Sequence, residues 1–347
     1  MPLRALNIFN KLRRGKPAVG MTPHDVVHHE NKWRLLRYRP TGDPRSEGSP
    51  ILLVPSLINR HYVLDLMPGK SFVEYLVGEG HDVYIIDWGT PGPEDRHLSF
   101  EDICIGYLGR AVRRVARESP TGKTHLLGYC LGGTMTTVYA AAFGDEIASM
   151  VNLAAPVDFE DDGLLGIWSR IPHFDLQATI EACGNMPWHL MQLGFNLLRP
   201  TLVLSKAVYA LDRAGDEVFL DGFFAIETWG NDNVSFPGRA FLEYIEYFYR
   251  DNTLIKDSLV LAGHPIRLQN ITSPLLCVSF EHDNIVSVRS AAAIVDRVSS
   301  THKEHLCLCG GHVGAVVSSK ARHALWPRLS AWFASCDGES IDFSAAS

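Results

Sequence analysis

The chain has 347 residues, 46% of them hydrophobic and 20% charged, the balance of a soluble globular protein with a large buried core. A formal charge of −7 and a pI near 6.1, with no basic stripe, argue against nucleic acid as a partner and favour small or apolar substrates. No apolar run approaches the roughly 18–20 residues that cross a bilayer. Seven scattered cysteines do not read as a disulfide framework, and the N-terminus lacks an apolar signal core, so the cytoplasm is the expected compartment.

Residues 1–30 make a basic N-terminal segment. Arg4, Lys11, Arg13, Arg14 and Lys16 alternate with Leu3, Leu6, Phe9 and Leu12, which predicts a short basic amphipathic helix, either a packed terminus or a surface for a partner. Next come "ILLVPSLI" and "HDVYIIDWG", short β-branched runs bounded by Gly or Pro, as strands buried on both faces of a parallel sheet read. "SFVEYLVGEG" between them is a short amphipathic helix, and "FEDICIGYLGRAVRRVARES" is a longer one with arginines on its outer face. "THLLGYC" is a third strand, "LGGTMTTVYAAAFGD" a helix and "IASMVNLAAPVDF" a fourth strand. This alternation predicts a doubly wound, mostly parallel α/β sheet whose functional groups gather at the carboxyl ends of the strands.

From residue 160 to 270 the chain turns helical and aromatic, as in "NMPWHLMQLGFNLL" and "FLEYIEYFYRDN", and the strand rhythm resumes only with "PLLCVSFEHD" and "KEHLCLCGGH". The expected organisation is therefore a core of residues 31–159 and 271–335, a helical cap inserted at 160–270, and a disordered tail at 336–347.

Three polar residues fall just past strand ends: Cys130 in "GYCLGGT", Asp283 in "SFEHD" and His312 in "CGGH". Nucleophile, acid, histidine is the chain order that the α/β-hydrolase fold dictates. Gly128, Gly132 and Gly133 leave room for a sharp turn that displays the thiol at a helix N-terminus, where the helix dipole favours negative charge. His312 would then be the base and Asp283 its orienting partner. The backbone N–H of Leu131 is one expected oxyanion donor, and a second is expected from the loop after "ILLVPS", at Leu57 or Ile58. A thiolate attacks thioesters readily and forms another thioester, so the acyl group stays activated and transfer is favoured over hydrolysis.

The remaining candidates have plainer readings. Cys104, Cys183, Cys277 and Cys336 read as small core residues. Cys307 and Cys309 form a C-x-C without a second ligand pair, and His28 and His29 fit no zinc spacing, so no metal is expected. Asp87 and Trp88 read equally as site-lining residues or as a cap and a packing residue.

The chain resembles the polyhydroxyalkanoate synthases, particularly the short class III catalytic subunits. The resemblance runs from about Val27 to Phe333 and rests on "GYCLGGT", "EHDNIV", "GGHVGA", "NRHYVLDLMPGKS", "VYIIDWGTP", "AAPVDF", "GNMP" and "FPGRAFLEYIEYFYRDN", together with the intervals separating the three polar residues. It implies an acyltransferase of α/β-hydrolase fold that polymerises (R)-3-hydroxyacyl-coenzyme A into polyester such as poly(3-hydroxybutyrate). Coenzyme A would enter and leave as part of the substrate, with no other cofactor. It also implies that Cys130 carries the growing chain, that His312 activates it, and that Asp283 assists the incoming 3-hydroxyl. A second, non-catalytic synthase subunit, a homodimer and the polyester granule surface are the implied partners. Asn284 and Ser287 depart from the family pattern, which often has histidine and proline there. They leave open two other readings, a cysteine-dependent hydrolase acting on acyl-coenzyme A or polyester oligomers, and an inactive granule-binding subunit. An intact Cys130, Asp283 and His312 set counts against the inactive subunit.

Overall fold

The computed structural model describes residues 2–13, 15, 17–42, 48–160, 164–171, 175–198, 200 and 202–338. Its main sheet has eight strands, β1 (His24–Glu30), β2 (Trp33–Tyr38), β3 (Ile51–Val54), β4 (Val83–Asp87), β5 (Thr124–Tyr129), β6 (Ile147–Leu153), β9 (Leu275–Phe280) and β10 (Lys303–Leu308), in the order β1-β2-β4-β3-β5-β6-β9-β10. A two-residue hairpin, β7 (Val260–Leu261) with β8 (His264–Pro265), stands apart from it. All six strands expected from the sequence form, and they are parallel to one another from β4 to β10.

Period-two alternation divides the core into two layers. Leu52, Val54, Tyr84, Ile86, Leu126 and Met150 face one layer, while Ile51, Leu53, Val83, Ile85, Leu127 and Val151 face the other. Helices cover both faces. The chain-ordered helices are α1 (Pro2–Arg13), α2 (Phe72–Gly78), α3 (Leu108–Glu118), α4 (Leu131–Ala142), α5 (Leu164–Ser169), α6 (Leu176–Cys183), α7 (Trp188–Leu198), α8 (Leu202–Asp212), α9 (Glu217–Gly230), α10 (Gly238–Tyr244), α11 (Val288–Ala292), α12 (Gly314–Val317), α13 (Ser319–Ala324) and α14 (Trp326–Cys336). Buried residues of α3 and α4 join the first layer, and those of α2 and α14 join the second. No helix among the described residues is long and apolar enough to cross a membrane.

Helices α5–α10 all lie between β6 and β9 in the chain. The inner side of this insertion is aromatic: Tyr244 stacks on Phe100 and on Phe236, and Phe248 packs edge-on against Phe100. Its outer side stays apolar too, with Trp188, Leu193 and Leu197 of α7 and Leu204 and Val208 of α8 exposed.

Two readings of the chain ends are corrected. The segment read as a mere terminus contains β1, which pairs antiparallel with β2 through a turn in which Asn31 adopts φ 52°. "HDVVHHE" is an edge strand, so it carries few apolar residues to announce it. Helix α1 forms as expected and packs against the insertion: Lys11 pairs with Asp221, Arg4 lies 3.7 Å from Asp212, and the Asn7 amide donates to Ala214 O at 3.2 Å. The tail read as disordered from 336 is ordered at its start. Asp337 accepts from the Ser49 N–H at 3.0 Å and lies 3.1 Å from Nε2 of His125, which is itself fully buried in β5. Residues 339–347 lie outside the described residues.

Among the cysteines, Cys104 and Cys277 are buried and Cys336 is half-buried, but Cys183 is exposed. Helix α6 buries Leu176 and Ile180, and Cys183 ends it just before Gly184 at φ 78°.

Candidate active site

Cys130 follows β5 and caps α4, with φ 55° and ψ −129°, backbone angles that cost a non-glycine residue about 1–3 kcal/mol. The surrounding glycines make this turn feasible. A Cβ on Gly132 would lie 1.9 Å from Val54 O, one on Gly128 2.3 Å from the Gly133 Cα, and one on Gly133 2.3 Å from the Ala155 Cβ. The Cys130 N–H donates to Leu153 O at 3.0 Å, which ties the turn to β6. The thiol is half-buried at the start of a twelve-residue helix, whose dipole stabilises a negative charge there.

The other two residues arrive on neighbouring loops. Asp283 follows β9 and His312 follows β10, and these loops are stitched together by the Glu281 N–H to Leu308 O and the His282 N–H to Gly310 O, both at 3.0 Å. His312 Nδ1 lies 2.7 Å from Asp283 Oδ2. The second carboxylate oxygen accepts from the N–H groups of Ile285 at 2.8 Å and Val286 at 3.0 Å, which fixes the carboxylate plane. Cys130 lies close enough to His312 to act on the same imidazole, so thiol and carboxylate converge on one ring.

Burial alone would lower the His312 pKa. The charge of Cys130 and the hydrogen bond to Asp283 outweigh it and push the value up to about 10. Tyr129 supports the ring from below, stacked at 5.3 Å and donating its hydroxyl to His312 O at 3.1 Å. Burial, with the charges of Cys130 and Asp283, drives the Tyr129 pKa far up, so it remains a neutral donor. From the cap, Tyr244 also feels the Cys130 charge and is kept neutral mainly by its burial.

Leu131 is the first residue of α4, where helix N–H groups lack partners within the helix. Ile58 lies on the loop after β3, which passes the same turn, since Val54 O and Pro55 O are the atoms nearest to Gly132. The Ile58 N–H makes only a 3.5 Å contact to Ser56 Oγ.

Asp87 and Trp88 are buried, 4% and 8% exposed, and brace that loop. Trp88 Nε1 donates to Pro55 O at 2.9 Å. Asp87 lies 3.2 Å from His61 Nδ1 and pairs with Arg34. Although burial raises the Asp87 pKa, these partners win and hold it well below the usual carboxylate range. Asn284 is exposed and donates to His282 O at 3.0 Å, and Ser287 caps α11 by accepting from the Ser290 N–H. Among the described residues, Glu281, His282 and Cys309 bring metal-type donor atoms within 4.8 Å of one another, all exposed, a cluster invisible in the sequence because Cys309 is remote from the other two.

The family model of the alpha/beta hydrolase fold matches residues 49–317, and that of the poly-beta-hydroxybutyrate polymerase (PhaC) N-terminus matches residues 10–76. The PhaC subunit of poly(3-hydroxyalkanoate) polymerase from Allochromatium vinosum is 33% identical over 316 residues, covering 90% of this chain and 88% of its own. That of a Synechocystis species is 34% identical over 337 residues, covering 95% and 89%. The chain belongs to the PhaC family. It spans 65% of the length of the Haloferax mediterranei PhaC, to which it is 35% identical. Beyond the family, a Paleococcus ferrophilus monoacylglycerol lipase superposes with a TM-score of 0.54 at 18% identity, covering 88% of this chain and 100% of its own. That likeness shows the fold alone.

Proposed function

We propose that this PhaC-family chain polymerises (R)-3-hydroxyacyl groups, drawn from their coenzyme A thioesters, into polyester. The observation that carries the reading is the convergence of Cys130 and Asp283 on the single imidazole of His312. The Cys130 sulfur attacks the thioester carbonyl, the bond to the coenzyme A sulfur breaks, and the departing thiolate takes the proton held on His312. The negative oxygen of the tetrahedral intermediate is received by the N–H groups of Leu131 and Ile58. In the next half-reaction the 3-hydroxyl of a bound substrate loses its proton to His312, with Asp283 supporting the imidazolium, and attacks the Cys130-bound chain. An ester bond forms, the Cys130 sulfur leaves, and the lengthened chain, now on coenzyme A, returns to Cys130 with release of free coenzyme A. No cofactor is needed, and water is kept out by the aromatic side of the cap.

The exposed apolar residues of α7 and α8 suit a surface covered in the assembly. We assign that face to the second synthase subunit, a homodimer partner or the granule, in a cytoplasmic protein. The reading is tested by giving the purified protein (R)-3-hydroxybutyryl-coenzyme A, with and without a partner subunit. Polymer and free coenzyme A are expected, and monomeric acid without polymer would overturn the reading.

A further inference from the structure

The loop from Pro55 to Tyr62 is anchored at its two ends to the body of the sheet. Trp88 Nε1 holds Pro55 O at 2.9 Å, and Asp87 faces His61 Nδ1 at 3.2 Å. Its middle is gripped from the cap. The Val234 N–H donates to Ile58 O at 3.3 Å, Asn59 and Asn233 form an antiparallel bridge and also bond through their side-chain amides, and Trp229 Nε1 donates to Arg60 O at 2.9 Å. Asp232 receives the Arg60 guanidinium at 3.3 Å and the Tyr62 hydroxyl at 2.7 Å. Five consecutive loop residues, Ile58 to Tyr62, are thus tied to the cap or to β4, and four of those ties lead to one short turn after α9.

We infer that this turn, through Asp232 and Asn233, sets the position of the Ile58 amide. The two side chains are positioning residues for the oxyanion, in the acyl-transfer reaction proposed above, on which this inference rests. The physical reason is the steepness of the requirement. A donor aimed at a developing negative charge acts at about 2.7–3.1 Å, and a shift near 1 Å forfeits most of its effect. A loop held only at its ends would not confine Ile58 to that tolerance, whereas a carbonyl bonded on the same residue and a bridge on the next one do. The grip extends outward as well. Asn233 donates to Gly230 O at 2.9 Å and to the Gln192 side chain, and Gln192 lies on α7, the helix with the exposed apolar face. A cap helix and an oxyanion donor are therefore the two ends of one connected path: hydrogen bonds join Gln192, Asn233 and Asn59, and the peptide bond joins Asn59 to Ile58.

The test separates attack by the thiol from stabilisation of the oxyanion. Alkylation of Cys130 by iodoacetamide displaces iodide at a saturated carbon and creates no oxyanion, whereas acylation by (R)-3-hydroxybutyryl-coenzyme A does. In the full-length chain, Asp232→Ala and Asn233→Ala should slow acylation about 10- to 100-fold and leave KM and the alkylation rate at wild-type values. Asp232→Asn, which still accepts from Tyr62, should recover most of the acylation rate. Acylation at the wild-type rate in both alanine variants would overturn the inference, and so would a parallel loss of alkylation and acylation, which would mean that the turn merely supports the fold. If wild-type Cys130 is alkylated but never acylated by the thioester, the acyl-transfer reading fails first and takes this inference with it.

Discussion

His312 Nδ1 sits 2.7 Å from an Asp283 oxygen whose partner oxygen is pinned by the N–H groups of Ile285 and Val286. In the proposed reaction the carboxylate therefore has two separable duties, one chemical and one structural. Asp283→Asn keeps an oxygen for the two N–H groups but can present an N–H to His312, which disfavours the tautomer that receives a proton from Cys130. Coenzyme A release should fall by about 10⁴-fold, the scale of such a change in a hydrolase triad, while the melting temperature stays near that of the wild type. Asp283→Ala should lose activity similarly and also leave the two N–H groups unpaired, at about 1–3 kcal/mol. A steady-state assay with a thermal melt separates the two effects, and equal melting temperatures for the two variants would contradict the structural duty.

The second relationship links His312 to Cys130. The folded-state pKa of His312 is pushed up to about 10 from an ordinary 6.5, so protonated histidine favours the fold. That stabilisation is fully present below pH 6.5 and is lost as the pH rises to about 10. Cys130→Ala removes the charge that contributes most to the upward shift. The alanine variant should release no coenzyme A, and its melting temperature should fall less steeply than that of the wild type between neutral and alkaline pH. Parallel pH curves for the two proteins would refute the pairing of Cys130 with His312.

The parallel strands were legible because each is a short, bounded apolar run, and "ILLV" and "VYIID" are buried at every position. Cys130 was legible because Gly128, Gly132 and Gly133 stand where any side chain would collide with neighbouring atoms. By contrast, β1 was hidden because an edge strand in contact with water needs few apolar residues. The grip of Asp232 and Asn233 on the β3 loop, at Tyr62 and Asn59, was hidden for a different reason. It joins polar residues roughly half the chain apart, each ordinary in its own neighbourhood, and only the folding of the cap onto the β3 loop brings them together.

The glycine frame gives a paired prediction. Gly132→Ala places a methyl group 1.9 Å from Val54 O, a backbone atom that cannot rotate away. Overpacking of this kind costs about 1–3 kcal/mol, and because the strain falls on the turn that displays Cys130, iodoacetamide reactivity should change along with the melting temperature. Gly194→Ala, inside α7 with nothing within 4 Å of the added methyl, should instead stabilise by about 0.5–1 kcal/mol and leave Cys130 reactivity alone. Equal effects of the two changes in urea unfolding would mean that the close approach at Gly132 is not what makes it glycine.

Asp337 offers a test of what holds the end of α14. Its carboxylate accepts from the Ser49 N–H and faces Nε2 of His125, whose Nδ1 lies 2.8 Å from Ser149 Oγ, and this buried set ties the end of α14 to β5 and β6. The Asp337 pKa is lowered against its own burial, chiefly by His125, so the tie belongs to the ionised carboxylate and weakens only as the pH falls through the acid range. Relative to a chain ending after Gly338, one ending after Cys336, or one ending after Gly338 that carries Asp337→Ala, should lose about 1–3 kcal/mol, because a fully buried imidazole N–H is left without its acceptor. The loss should shrink when the comparison is repeated at acid pH, where the chain ending after Gly338 has itself given up the tie; a loss that is independent of pH would assign the effect to helix length instead of to the carboxylate.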